Sequence, residues 1–174
     1  MQRTIDRPGE TGRPSDMVEA VRRLRDEHSD LRQTIERIEA AAARADRMAA
    51  VSAAANEISG VKQPLVAFMH ALERHAAWEE ENLIPLIEEH MPRSHESAVR
   101  DSIWVMEKDH QMATVYLRVF LERLNEFGDL PNAGVVADAV RCLLQGCVLL
   151  KEHFRIEEQT IFPAVEQLVG ETGL

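Results

Sequence analysis

The chain has 174 residues, a formal net charge of −10 and two cysteines. That length suits one domain with a real core, and the acidic balance argues against a nucleic-acid partner, which calls for a basic face. No uninterrupted apolar run approaches the roughly 20 residues of a membrane span, so no membrane partner is expected.

Few glycines and prolines, scarce aromatics and abundant alanine, leucine, glutamate and arginine favour helices throughout. Residues 1–14 hold Pro8, Gly9, Gly12 and Pro14 among charges without periodicity and read as a flexible leader. The first helix is expected from Ser15 or Asp16, with Glu19 three residues beyond Asp16 as a capping partner. Val21, Leu24, His28, Leu31, Ile35 and Ile38 form one stripe on it, so His28 belongs to the core-facing row. A break is expected around residues 44–48. The second row then runs Val51, Ala55, Ile58, Val61, Leu65, Phe68, Leu72, His75 and Glu79, ending before Pro92. Either Gly60 or Pro64 interrupts it or marks its true start. The third helix, from about Ser94 to Phe127, turns Ile103, Met106, His110, Ala113, Leu117, Phe120 and Leu124 inward, with Gly128 and Pro131 as its stop. The fourth, from Asn132 to about Val169, does so with Val136, Val140, Leu143, Cys147, Leu150, His153 and Glu157, and Gly170 ends it. No strand alternation is visible. The fold expected over residues 15–170 is all-α, an up-down-up-down four-helix bundle, with 171–174 as a tail.

One pattern occurs twice. Residues 75–85 and 153–163 both read H-x-x-x-E-E, with a proline ten positions after the histidine. On a helix, residues four apart share a face about 6 Å apart along the axis. His75 with Glu79, and His153 with Glu157, each present one imidazole and one carboxylate to a single point. His28 and His110 precede these pairs by similar intervals, so the second half of the chain repeats the first. The candidate metal ligands are therefore His28, His75, Glu79, His110, His153 and Glu157. Imidazole and carboxylate without thiolate suit iron or manganese, with zinc possible. Burying six such groups without a cation would be costly.

Several neighbours have blander readings. Glu80 and Glu158 point about 100° from the inward row and are expected behind the ligands or on the surface. His70, His90 and His95 fall outside the rows. Glu107 and His110 form one E-x-x-H, but a ferritin-like site needs it twice, and Arg25, Leu72 and Leu150 stand three residues before the other histidines. Trp78, Phe154, Ile156, Trp104 and Tyr116 are read as core that can also wall a pocket. Cys142 and Cys147 lie on one helix without a C-x-x-C and read as small buried hydrophobes, which fits a reducing, cytoplasmic setting.

The order H … H-x-x-x-E … H … H-x-x-x-E-E-x-x-x-F-P, over about residues 16–168, resembles the hemerythrin-like family with its HHE cation-binding motif. The resemblance implies a four-helix bundle with a non-haem di-iron centre. In it His28, His75, His110 and His153 take the family's histidine positions, and Glu79 and Glu157 those of bridging carboxylates. Thr114 stands where oxygen-carrying members have a further histidine, which speaks against reversible oxygen transport. Four histidines and two glutamates are closer to bacterial proteins for repair of iron centres. Full-length members of that group add an N-terminal domain with a cysteine motif, where this chain offers a short leader.

The expectation is thus a cofactor of two non-haem irons, with manganese or zinc as substitutes. The partner is a small diatomic or peroxide ligand (O2, NO or peroxide), bound or reduced for sensing or for oxidative and nitrosative stress defence. One alternative is an iron donor or repair protein with an iron–sulfur client. The other is a regulatory bundle whose metal is only structural. The residues do not decide between binding and turnover.

Overall fold

Four helical rods account for the path of the chain in the computed structural model, which describes residues 14–90 and 96–171. The first rod is α1 (Pro14–Asp46). The second is assembled from α2 (Val51–Ser59), α3 (Lys62–Trp78), a widened π turn (Glu79–Leu83) and α4 (Ile84–His90). The third is α5 (Glu96–Asn125). The fourth runs α6 (Ala133–Ile156), a second π turn (Glu157–Ile161) and α7 (Phe162–Glu171). Short connections make consecutive rods antiparallel, giving the expected up-down-up-down bundle. The most extensive pairing joins α5 to α6, while α1 lies between α2–α3 on one side and α6–α7 on the other. No strand occurs among the described residues. The expected leader up to residue 13, the positions of Pro92, Ser94 and His95, and the last three residues of the tail lie outside them.

The rods begin and end for local reasons. Pro14, placed in the leader by sequence, instead opens α1, where a missing N–H costs nothing. Glu19 pairs with Arg22 a turn further on, at 2.5 Å; its expected capping contact with Asp16 lies outside the described side chains. Between α2 and α3 the break falls at Gly60 and Val61, whose N–H groups return to Asn56 and Ile58 at 3.2 and 3.1 Å. Pro64 then sits in the first turn of α3, among backbone donors that have no partner within the helix anyway. Asn132 caps α6, its side-chain oxygen accepting from the N–H of Gly134 at 2.8 Å and of Val135 at 3.4 Å. Gly170 does not stop the last helix, which reaches Glu171.

The four inward rows are buried as read from sequence, with Val51 and His110 only partly covered. They form two apolar blocks. One runs from Leu31 and Leu72 through Phe68, Leu117, Phe120 and Leu143 to Leu150 and Phe154. The other gathers Leu24, Leu83, Ile87, Ile103, Met106, Ile161 and Phe162. Between them lies a polar layer. The fourth rod, residues 133–170, has a window of mean hydropathy 1.7 and is long and apolar enough to cross a membrane. Asp138 and Arg141 interrupt its apolar run, which is why a search for an unbroken run passes over it. Its inward row, from Val136 to Leu150, packs into the bundle core.

Cys147 is buried, and burial pushes its thiol up to about 12, with the nearby Glu39 acting the same way; Cys142 is only half-buried. The tight α5–α6 contact depends on Gly146, where an added Cβ would stand 2.7 Å from Leu117 Cδ2. Gly146→Val should destabilise the fold by about 1–3 kcal/mol. Adding Leu117→Ala should recover part of that loss in a double-mutant cycle of thermal or denaturant unfolding. Strictly additive losses would mean the two positions do not touch.

Candidate metal centre

The polar layer is built one rod at a time. Helix α1 supplies His28 from its middle, α3 supplies His75 near its end, α5 supplies His110, and α6 supplies His153. Glu79 and Glu157 each head a π turn. There the N–H of Ile84 reaches back five residues to the Glu79 carbonyl, and that of Phe162 to the Glu157 carbonyl. Pro85 and Pro163 follow two residues after each turn. A proline lacks the N–H and its ring crowds the carbonyl four residues back, so a turn with one extra residue is where the ladder accepts it. The duplicated proline thus marks a widened turn beginning at each inward glutamate.

All six sequence candidates meet in this layer. His28, His75, Glu79, His153 and Glu157 are at most 2% exposed. Their ligand atoms form two overlapping sets, His75, Glu79, His110 and His153, and His28, His75, Glu79 and Glu157, each within 4.8 Å. The Nε2 atoms of His28 and His75 lie 3.2 Å apart. His28 Nε2 is 2.9 Å from Glu157 Oε2, and His75 Nε2 is 3.0 Å from Glu79 Oε1. His153 Nε2 is 3.6 Å from Glu157 Oε2. The His110 and His153 rings lie tilted at 41° to one another, with centroids 3.9 Å apart.

Tautomers follow from what stands behind the rings. His75 Nδ1 lies 2.9 Å from Glu27 Oε2, and His28 Nδ1 lies 3.0 Å from Glu158 Oε1. Glu27 is ion-paired with Arg23 at 2.8 Å and Glu158 with Arg32 at 2.8 Å, so both carboxylates are ionised and can only accept. Each Nδ1 therefore donates, and both Nε2 atoms face inward, toward one another and toward Glu157 and Glu79. Glu79 Oε1, both Glu157 oxygens, His110 Nε2 and both His153 nitrogens are buried without a hydrogen-bond partner. Some of these have close neighbours, but off the hydrogen-bond direction. Imidazole nitrogens and carboxylate oxygens converging on one buried point, several of them without a hydrogen-bond partner, are what a cation needs and what a protein core otherwise avoids. The residues fit a metal.

Electrostatics give the same picture. Burial, then the charges of His75 and neighbours, brings His110 down to about 4. Burial and then His110 hold His153 well below its ordinary value. Both are thus neutral near pH 7, the form a ligand must take. Burial first, then Glu157, pushes the Glu79 carboxyl well up. Burial acts on Glu157 in the same sense, but the contact with His28 outweighs it and keeps Glu157 low. The facing carboxyls therefore hold a proton between them in the absence of metal.

The surroundings sort the remaining candidates. Phe154 walls the site, with centroids 4.5 Å from His28, 5.2 Å from His153 and 6.0 Å from His75. Trp78 is half-buried under Arg23, Ile156 packs into the second apolar block, Tyr116 is half-buried away from the imidazoles, and Trp104 is 60% exposed. Phe162, not singled out from sequence, stacks on His28 at 5.4 Å. Glu80 is exposed, whereas Glu158 backs His28. His70 is exposed and His90 bonds the Leu86 carbonyl. Glu27, Arg23 and Arg32 were missed, and their only sequence signal is position, each flanking the inward row beside His28. A groove of about 1230 Å³ between α1 and α2–α3 reaches Glu27 and His75, with Arg37, Arg44 and Arg74 among its lining residues.

An all-helical bundle whose four rods converge imidazoles and carboxylates on one buried point is a metal-binding helical domain. Residues 19–165 match the family described as Hemerythrin HHE cation binding domain, and the chain belongs to that family. No curated protein and no solved structure matches it.

Since His110 and His153 are held neutral and Glu79 is pushed toward its protonated form, metal binding should displace the proton of the Glu79–Glu157 pair. Adding Zn(II) to metal-free protein should release protons, and affinity should climb as pH rises through the range where Glu79 titrates. Calorimetry in two buffers of different ionisation heat reads this directly. A binding heat independent of buffer would contradict the shared proton.

Proposed function

We propose that the chain is a non-haem di-iron protein that binds or reacts with a small ligand of the O2, NO or peroxide class, in sensing or in oxidative and nitrosative stress defence. The observation that carries this reading is the pair of overlapping donor sets, which share His75 and Glu79 and contain only nitrogen and oxygen. His28, His75, Glu79, His110, His153 and Glu157 would hold the metals. Two irons held there supply open coordination positions and reversible one-electron chemistry to a small ligand.

The protein's own part is to bind, orient and shield. Glu27 and Glu158 fix which nitrogen of His75 and His28 faces inward. Phe154 and Phe162 cover the His28 side with apolar rings and limit the approach of water. The Glu79–Glu157 pair compensates metal charge and gives up its proton on loading. Two cysteines held as thiols support a cytoplasmic setting.

The test is metal content after anaerobic purification, then visible spectra on adding oxygen and, separately, nitric oxide. About two irons per chain with ligand-dependent bands are expected. One zinc, or no spectral response to either gas, would leave a structural metal only. Glu157→Ala should remove most of the metal-dependent gain in Tm, and Glu80→Ala none of it. Rapid iron loss to an apo iron–sulfur protein would favour the donor alternative.

A further inference from the structure

Behind the inward ligands, the two halves of the centre are built differently. His28 is backed by Glu158, Glu158 Oε2 is ion-paired with Arg32 at 2.8 Å, and Arg32 lies 5.7 Å from the centre of the Phe154 ring. His75 is backed by Glu27, Glu27 Oε1 accepts from Arg23 Nε at 2.8 Å, and Arg23 lies 4.3 Å over Trp78. The same chain of imidazole, carboxylate, guanidinium and aromatic ring is assembled twice, from different helices. His110 and His153 have nothing comparable. His153 is buried with neither nitrogen hydrogen-bonded, and His110 Nε2 is likewise without a partner. Asp109 and Glu152 lie on the same helices beside these histidines, yet neither is hydrogen-bonded to a ring nitrogen among the described residues.

A carboxylate accepting the outer N–H of a ligating histidine fixes its tautomer and raises the basicity of the inner nitrogen. Losing such a partner typically lowers metal affinity about 10–100-fold. The arginine keeps that carboxylate charged and immobile. A histidine without such backing is a weaker donor.

We infer that the two metal positions are unequal by construction. The one served by the converging Nε2 atoms of His28 and His75 fills first and empties last, and the one served by His110 and His153 exchanges. Glu27 and Glu158 are positioning residues for the retained metal. The inference rests on the metal reading above, and gives the chain one held and one exchangeable equivalent.

The experiment is a Co(II) titration of the metal-free full chain against a chromophoric chelator, paired with the time course of metal removal by excess EDTA. Two binding steps separated by about 10–100-fold and two phases of removal are expected. Glu158→Gln, behind the His28 that only the set filled first contains, should weaken the first step about 10–100-fold and leave the second in place, whereas Glu27→Gln, behind the shared His75, should weaken the first step more than the second. Glu80→Gln, the exposed counterpart of Glu158 in the repeat, should change neither. His110→Ala should abolish the second step and spare the first. Two metals bound in one step and lost in one phase would overturn the inference while leaving a two-metal centre, and so would a Glu158→Gln variant that weakens both steps equally. The removal kinetics need no variant, so they stand even if a substitution prevents folding. No Co(II) binding at all would overturn this inference and the metal reading together.

Discussion

Two imidazole nitrogens facing each other at 3.2 Å, each ring held from behind by a carboxylate on its Nδ1, set the terms for the rest of this bundle. Beside them stand the carboxyl groups of Glu79 and Glu157, and several atoms of the layer, both His153 nitrogens included, have no hydrogen-bond partner. Left alone the arrangement is unfavourable, and the low polarisability of the surrounding core makes it more so. A proton between the carboxyls relieves part of the conflict; a metal relieves all of it. That need explains why a layer with so many unpartnered polar atoms survives in the middle of an otherwise apolar interior.

The bundle accommodates the layer by dividing its core. On each rod the last apolar residue before the ligand and the first one after it belong to different blocks. Leu24 and Leu31 flank His28 in this way, and Leu150 and Ile161 flank His153 and Glu157. Neither block alone fixes the relative height of the rods, since apolar packing tolerates slippage more readily than directed donors do. Donors from all four rods meeting at one point set that height. The π turns are part of the same solution. They let a rod carry His and Glu on one face and still return Leu83 or Ile161 to the core beyond a proline.

Much of this was legible in the sequence because it depends on period. A ligand in a core-facing row is visible whenever apolar residues recur at helical spacing around it, and the duplicated H-x-x-x-E gave each half-site its partner. The proline ten residues on was equally visible, but it signals a widened turn only once the helix is seen to continue past it. Sequence could not separate Glu80 from Glu158, which occupy the same place in the repeat. One is exposed and the other reaches His28 on a different rod, and that difference lies in the lateral packing of rods rather than in either segment. Glu27, Arg23 and Arg32 were hidden for the same reason: on α1 alone they are charges on a solvated face. The apolar character of the fourth rod was understated because two charges break its run.

The repeat is therefore symmetric where it faces the cation and asymmetric where it faces outward. The first rod is long enough to flank both rod two and rod four, and it contributes a backing residue in each direction: Glu27 toward His75, and Arg32 toward Glu158. The third rod packs mainly against the fourth and, among the described residues, sends no carboxylate behind His153 or His110. A bundle in which one helix touches two neighbours closely and the opposite helix touches one cannot back all four histidines alike. The inequality of the two halves then follows from helix packing itself, without any difference in the inward ligands.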